Sequence, residues 1–426
     1  MIFYKTLTNI RKKHGFTQEE FAKMLGCTEE YIVALENNKE QASFPFVVNL
    51  KDKLNLHSAP ITESEREALM DSLQTFKILI DYGEMEKAAE QLPRLAKDVR
   101  ASYSPSANNF FDLFAAAYYW VTDDKKAYEE TMTALSKRTD EFNGKHLYYY
   151  HRLIAAREFR AYRYREALKA FMTAEKLDKD ALLSNVGFYY GYGACLSDMG
   201  YVAKAIECMR KAQHMAKWRM VYNGKPNRRH DAYIDGYLAR GLSKIGKTDE
   251  ALGLLDNRLA RELKNNNKEK IGYIYNCLGV VYLREDNYNS ALNNLDMAFQ
   301  YFDVGSRGYI STLYHKARAL IKSGRIDEGI SFVDKGLCIT HDVWKALLDA
   351  LRHSVSLSDP KSLSYMEKIA FANLKVYGQY DEVLEYCELI SSFYNKSGKP
   401  EVALNFISLA YELQKQLYRE LVEGGL

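Results

Sequence analysis

The chain has 426 residues, 47% of them hydrophobic, with seven prolines and a formal net charge of +3. That hydrophobic content excludes a disordered chain, and the small net charge excludes general nucleic-acid affinity, so any DNA binding has to come from local geometry. No run of about 18 apolar residues is present to span a membrane, the N-terminus lacks the apolar core of a signal peptide, and six cysteines lie scattered without metal spacing, as reduced cytoplasmic thiols do.

The first informative stretch is residues 10–36, IRKKHGFTQEEFAKMLGCTEEYIVALE. Thr17 followed three residues later by Glu20 makes a capping box. Phe21, Ala22 and Leu25 then form an apolar stripe at helical spacing. Gly26 stops that helix, because glycine accepts the left-handed backbone of a C-terminal cap. Thr28 caps a third helix in which Ile32 and Leu35 point inward, and Asn38 marks the turn that follows. Flanking helices over residues 3–14 and 46–54 close a small core. Residues 1–57 carry eight Lys/Arg against seven Asp/Glu, so phosphate contact rests on a few groups: Arg11, Lys12, Lys13, Lys23 and Lys39.

This block resembles the phage-repressor-like helix-turn-helix family through Thr17, Gln18, Phe21, Ala22, Leu25, Gly26, Thr28, Ile32, Leu35 and Glu36. The resemblance implies that Gln18, beside Thr17, touches phosphate. It also implies that the helix over residues 28–35 enters the major groove of an operator, with Thr28, Glu29, Glu30 and Tyr31 at its leading end. Two glutamates depart from the usual pattern there. They either accept from a cytosine amino group or offset the helix dipole.

Residues 58–66, with Pro60 among short polar residues, read as a linker. From residue 67 to 421 a hairpin pattern recurs: an apolar helix, a turn, then a small residue early in a second helix, the mark of tetratricopeptide repeats. The clearest copies are residues 276–302, with Gly279, Tyr288 and Ala291, and residues 192–212, with Gly193, Gly200 and Ala205. Turns fall at Gly83, Asp123, Tyr162, Gly246 and Gly324, and the small residue recurs as Ala88, Ala167, Ala205, Ala251, Ala291 and Gly329. After Gly336 the register changes and helices over 341–356, 361–377, 380–395 and 400–421 form two last hairpins. The expected fold is all-α: the helix-turn-helix domain, then a right-handed superhelix of about nine hairpins, its concave face lined by the first helix of each.

Placing the copies in one register puts Tyr149, Arg152, Tyr190, Tyr233, Gly236, Arg240, Tyr273, Asn276, Tyr314 and Arg318 on the inner face. That set suits an extended peptide: an Asn amide matches a peptide bond, tyrosines give broad contact with one polar tip, and arginines grip a carboxylate bidentately. Each residue alone also fits packing or surface charge. The outer end, residues 402–421, is either a cap or a dimer surface.

Over nearly its whole length the chain resembles the peptide-pheromone-sensing regulators of Gram-positive bacteria, the RNPP group, and by its nine hairpins the neutral-protease-regulator branch. The resemblance implies a cytoplasmic homodimer that binds a short linear signalling peptide and thereby changes oligomeric state or DNA binding. Members of the wider group that lack the DNA reader act on phosphorelay response regulators, which makes a scaffold or phosphatase-like partner of such a protein the alternative. No Gly-rich phosphate loop, paired-histidine metal motif or nucleophile elbow is present, so no enzyme activity, cofactor or metal is expected.

Overall fold

The computed structural model describes residues 4–56, 59–60, 62–177, 185–218, 221–222, 225–226 and 229–422. They form two compact units, residues 1–153 and 154–426. Apart from one pair of two-residue strands, Val221–Tyr222 and Lys225–Pro226, the described residues are helical or in turns.

The first unit opens with four helices: α1 (Tyr4–Lys13), α2 (Gln18–Leu25), α3 (Glu29–Glu36) and α4 (Phe44–Lys53). Thr17 Oγ1 accepts from the Glu20 amide at 3.1 Å, and Glu20 Oε2 accepts from the Thr17 amide at 2.8 Å. The expected capping box is thus formed in both directions. Gly26 ends α2 at φ +71°, with open space around its α-carbon, so the backbone conformation alone demands glycine there. Leu7, Ile10, Phe21, Ile32 and Leu50 meet in a core from which water is excluded. The outer helices run as expected within a residue or two, although Phe3 lies outside the described residues.

Thr62 and Glu65 form a second capping box, and helix α5 (Glu63–Tyr82) starts there. The last four residues of the expected 58–66 linker are therefore helical, because a capping box nucleates a helix wherever it occurs; residues 58 and 61 lie outside the described set. Lys51 pairs with Glu65 at 2.8 Å, tying α4 to the start of α5. Asn9 donates to the Tyr103 carbonyl at 2.9 Å, joining α1 to the turn after helix α6 (Met85–Ala101).

Helical pairs then repeat. The first unit holds α5 and α6, then α7 (Pro105–Val121) and α8 (Lys125–Ser136). The division between units falls within α9 (Gly144–Arg160), whose partner is α10 (Tyr164–Leu177). The second unit continues with α11 (Val186–Asp198) and α12 (Val202–Trp218), α13 (Asp231–Lys244) and α14 (Thr248–Asn265), then α15 (Lys268–Arg284) and α16 (Tyr288–Phe299). Next come α17 (Arg307–Lys322) with α18 (Ile326–Leu337), and α19 (Val343–Ser354) with α20 (Pro360–Tyr365) and α21 (Phe371–Val376). The last pair is α22 (Tyr380–Lys396) and α23 (Pro400–Val422). Nine pairs are thus present among the described residues, as expected. The turns at Gly83, Asp123, Tyr162, Gly246 and Gly324 all take positive φ. Close approach explains the small residues: a Cβ on Gly279 would lie 2.6 Å from Leu295 Cγ, across the α15–α16 contact.

One departure sits after Gly336. The helix expected over 361–377 is interrupted by a single π turn at Met366–Ala370. The wider turn keeps Met366 and Ala370 both buried while Ile369 faces solvent. Apolar periodicity cannot register an inserted residue of that kind.

Candidate functional site

The first helices of successive pairs in the second unit, α11, α13, α15, α17 and α19, surround a chamber of about 550 Å³. Its wall is aromatic. Tyr190, Tyr233 and Tyr273 follow one another across α11, α13 and α15, with ring centroids 6.1 Å and 5.0 Å apart. Tyr190 also stacks on His230 at 4.8 Å. Burial pushes the Tyr190 phenol up to about 12 and raises Tyr237 and Tyr273 too, so these hydroxyls stay neutral donors. Gly236 makes this wall possible, since a Cβ there would stand 2.4 Å from Tyr273 Cε1.

The far wall of the chamber also comes from the second unit. Trp344 Nε1 on α19 donates to the Tyr162 hydroxyl at 3.2 Å, in the turn before α10. Lys244 at the end of α13 pairs with Asp381 on α22. Gly378, just before α22, packs near Tyr164 and Met199. Helices from the last pairs thereby meet turns of earlier ones and wall the chamber on that side, while Lys268, Glu269, Asp303 and Arg307 at its lining stay exposed.

Six expected residues line this chamber: Tyr190, Tyr233, Arg240, Tyr273, Asn276 and Tyr314. Asn276 is buried and donates through Nδ2 to Thr312 Oγ1 at 3.0 Å, which fixes its amide and leaves the carbonyl oxygen as acceptor. The other expected residues are not brought into the lining. Tyr149 and Arg152 line a crevice of the first unit, where Arg152 lies 3.5 Å from Asp81 and the Tyr149 ring packs on Phe114. Arg318 is paired with Glu385 and lies over the Tyr314 ring. A single register therefore does not place all ten residues on one wall.

Tyr164, Asp198, Tyr237, Arg307, His315 and Glu382 line the chamber as well, and the repeat pattern did not indicate them. Tyr237 lies one helical turn beyond Tyr233, so extending the inner stripe by four residues would have found it. Asp198 accepts from the Tyr237 hydroxyl at 3.3 Å. Burial raises the Asp198 carboxyl against the pull of Arg240, Arg307 and Lys244. His315 is 8% exposed and its Nδ1 has no hydrogen-bond partner among the described residues. Burial, with Arg240, Arg318 and Arg284 adding to it, holds the ring well below 6.5 and so neutral.

His315 carries a pH dependence of known sign. The unfolded ring takes a proton below about 6.5 and the buried ring does not, so stability is complete above that pH and falls as the pH drops through it. The expected slope from this group approaches about 1.4 kcal/mol per pH unit. Denaturant midpoints between pH 7 and pH 5, compared for the native chain and His315→Gln, check it; equal slopes would show that the ring does protonate in place.

In the head, Thr17 and Thr28 act as N-caps, Thr28 Oγ1 accepting from the Tyr31 amide at 3.3 Å. Glu29, Glu30 and Lys39 are exposed. The Tyr31 ring instead meets Phe46 edge-on at 5.5 Å and joins the core margin. Gln18 and Arg11 are also committed internally. Arg11 forks onto Glu36 with bonds of 2.7 Å and 2.9 Å, and Gln18 donates to the same carboxylate at 2.7 Å. Lys13 sits 4.6 Å over the Tyr103 ring. This leaves Lys12, Lys13, Lys23 and Lys39 as the exposed cations of the expected phosphate set.

Fold and site together define a helix-turn-helix head joined to a tetratricopeptide-type array whose inner helices wall a chamber. Residues 7–59 match the helix-turn-helix family and residues 186–216 the tetratricopeptide repeat family. The chain is similar to the transcriptional activator NprA of Geobacillus stearothermophilus, with 21% identity over 414 residues, 91% of this chain and 97% of the relative. Among solved structures it is similar to a Rap protein complexed with competence and sporulation factor (TM-score 0.69, 15% identity, 83% of this chain and 99% of that one). It is also similar to NprR in complex with its cognate peptide NprX (TM-score 0.64, 16% identity, 82% and 98%). The apo form of the quorum sensor NprR from B. thuringiensis matches at a TM-score of 0.61, with 16% identity, 82% and 99%. The resemblance to RNPP-type regulators of the neutral-protease-regulator branch is borne out by this combination.

Proposed function

We propose that this chain is a peptide-sensing transcription regulator, in which occupancy of the chamber by a short linear peptide alters DNA binding by the helix-turn-helix head. The observation that carries the reading is the presence in one chain of that head and of a chamber of about 550 Å³ walled by tyrosines and an oriented asparagine. The relative similar over nearly the whole chain is a transcriptional activator, and one of the similar array structures is a complex with its cognate peptide. The test is selection of genomic fragments by the full chain, with and without the short-peptide fraction of the host's spent medium. Peptide-dependent fragment recovery supports the reading, and recovery of no fragment in either condition overturns it. The alternative, a scaffold or phosphatase-like partner of a response regulator, gains no support from any feature of the array.

The proposed division of labour is residues 1–57 for DNA, a linker, and residues 67–421 for peptide binding and assembly. In the head, Thr28, Glu29 and Glu30 face the operator, with Lys39 on phosphate. Lys39→Ala is expected to weaken binding equally across DNA sequences and to reduce the slope of log affinity against log salt by about 1. Fluorescence anisotropy at several salt concentrations reads this directly; a sequence-selective loss at constant slope would move Lys39 to base recognition.

The active form is proposed to be a cytoplasmic homodimer. Ala403, Leu413 and Leu417 on the inner face of α23 are buried, so that face caps the array. Leu404, Ile407, Tyr411 and Tyr418 recur on the adjoining face at helical spacing and are 47–68% exposed. Replacing Leu404 and Tyr411 together by Glu is expected to halve the light-scattering mass without lowering the melting temperature. An unchanged dimer mass would place the interface elsewhere.

A further inference from the structure

Arginines of the array are mostly spent on carboxylates. Arg258 holds Asp235 and Arg318 holds Glu385. Two arginines in the chamber wall are different. Arg240 and Arg307 line it, and neither has a carboxylate within ion-pair distance nor any hydrogen-bond acceptor among the described residues. Both instead lie against rings, Arg240 half-buried and Arg307 exposed. The Arg240 guanidinium lies 5.5 Å from the Tyr237 centroid. That of Arg307 lies 4.6 Å from Tyr162 and 5.7 Å from Phe159. Each guanidinium carries five N–H donors in a fixed fork, and ring contacts use none of their in-plane directions.

Two further groups face the same space. Ser306, Arg307, Gly308 and Ser311 line the chamber, so the first turn of the 16-residue helix α17 opens into it. Ser306 Oγ already caps the Tyr309 amide at 3.2 Å, while the Arg307 and Gly308 amides have no partner among the described residues. Two turns along the same helix stands His315, neutral and with Nδ1 unpartnered, which presents a polar nitrogen without a competing charge. Guanidiniums with unspent donors, free first-turn amides and the positive end of a helix are what a carboxylate requires.

We infer that the chamber holds a carboxylate of its ligand between Arg240 and Arg307, over the first turn of α17. This rests on the peptide-sensing reading proposed above. The carboxylate is either the C-terminal one or that of an Asp or Glu side chain. Net charge of the lining does not decide the matter: Arg240, Arg307 and Lys268 face four carboxyls, Asp198, Glu269, Asp303 and Glu382, of which burial raises Asp198 and Glu382 towards the neutral form. Hydrogen bonding is the better guide: Asp198 accepts from Tyr237 and Glu269 accepts from Tyr233 at 2.6 Å, and although Asp198 acts on both guanidiniums through space, neither has spent a donor on it.

The test uses four synthetic heptapeptide pools and the full chain. One pool has free C-termini and all residue types, and one is the same but C-terminally amidated. The other two repeat these ends without Asp or Glu. Bound peptides are identified by affinity selection and mass spectrometry. The amidated pool lacking Asp and Glu is expected to yield no ligand, and whichever carboxylate-bearing pools do yield them name the source. Against the retained peptides, Arg307→Gln and Arg240→Gln are each expected to lower affinity about 10- to 100-fold, with Arg307→Lys between. Retention from the carboxylate-free pool equal to the others overturns the inference while the peptide reading stands. So does retention that tracks Lys or Arg in the peptide, which would assign the site to Asp198 and Glu382. Retention from no pool overturns both. Because the decisive change is made in the peptides, loss of folding in an arginine variant does not blunt the test.

Discussion

Arg258→Ala is expected to destabilise the array by about 3–5 kcal/mol, the cost of stranding buried charge when one partner of a buried pair is removed. Arg258 is 7% exposed and sits among three carboxylates. Its Nε lies 2.7 Å from Asp235, and one terminal nitrogen lies 3.3 Å from Asp231 and 3.6 Å from Glu262. Gln213 supplies the other bond to Asp235, at 2.8 Å. Asp235 and Glu262 are as buried as the arginine, so alanine would leave two carboxylates facing protein with one amide between them. The effect should reach the chamber, because Asp235 lies on α13 between Tyr233 and Tyr237. Arg258→Lys keeps the charge but not the planar fork and should recover part of the loss. Urea unfolding followed by hydrogen exchange of α13 reads the change where it occurs. A shift under about 0.5 kcal/mol, the size of an ordinary surface substitution, would mean that water reaches the cluster.

What was legible in the sequence had local causes. The Thr17–Glu20 box, the Gly26 cap and the left-handed turns at Asp123 and Tyr162 each depend on a few adjacent residues, and each formed as read. Six inner-face residues came from one periodic argument, because α11 to α17 keep the same register. The failures share a different cause. Trp344 and Glu382 enter the chamber from helices beyond the change of register at Gly336, and no periodicity says which early turns those helices meet. Arg307 was missed because it stands in a first turn, ahead of the helix positions that the repeat fixes. Arg11 and Gln18 looked like free polar groups at the edge of a reading helix, yet both are bound to Glu36. Pairing across 25 residues leaves no trace in local pattern.

That last pairing gives the second large effect. Arg11→Ala is expected to cost the head about 3–5 kcal/mol, which a domain of this size cannot spare. The guanidinium joins α1 to α3 through both Glu36 oxygens and reaches the Phe16 carbonyl at 3.0 Å. The side chains of Arg11 and Glu36 are 12% and 6% exposed. Removing the cation leaves the carboxylate with only the Gln18 amide, and removing Glu36 instead strands the guanidinium. Replacing the two together, as Arg11→Met with Glu36→Leu, should restore much of the stability, since an apolar pair strands no charge. The double variant then separates two roles that the position of Arg11 beside the reading helix confounds. If Arg11 is structural, the double variant refolds the head and regains DNA affinity, whereas Lys39→Ala lowers affinity with the melting temperature unchanged. If the single Arg11 variant instead melts like the native chain and only its salt-dependent affinity falls, the ion pair is an exchangeable one and Arg11 belongs on phosphate.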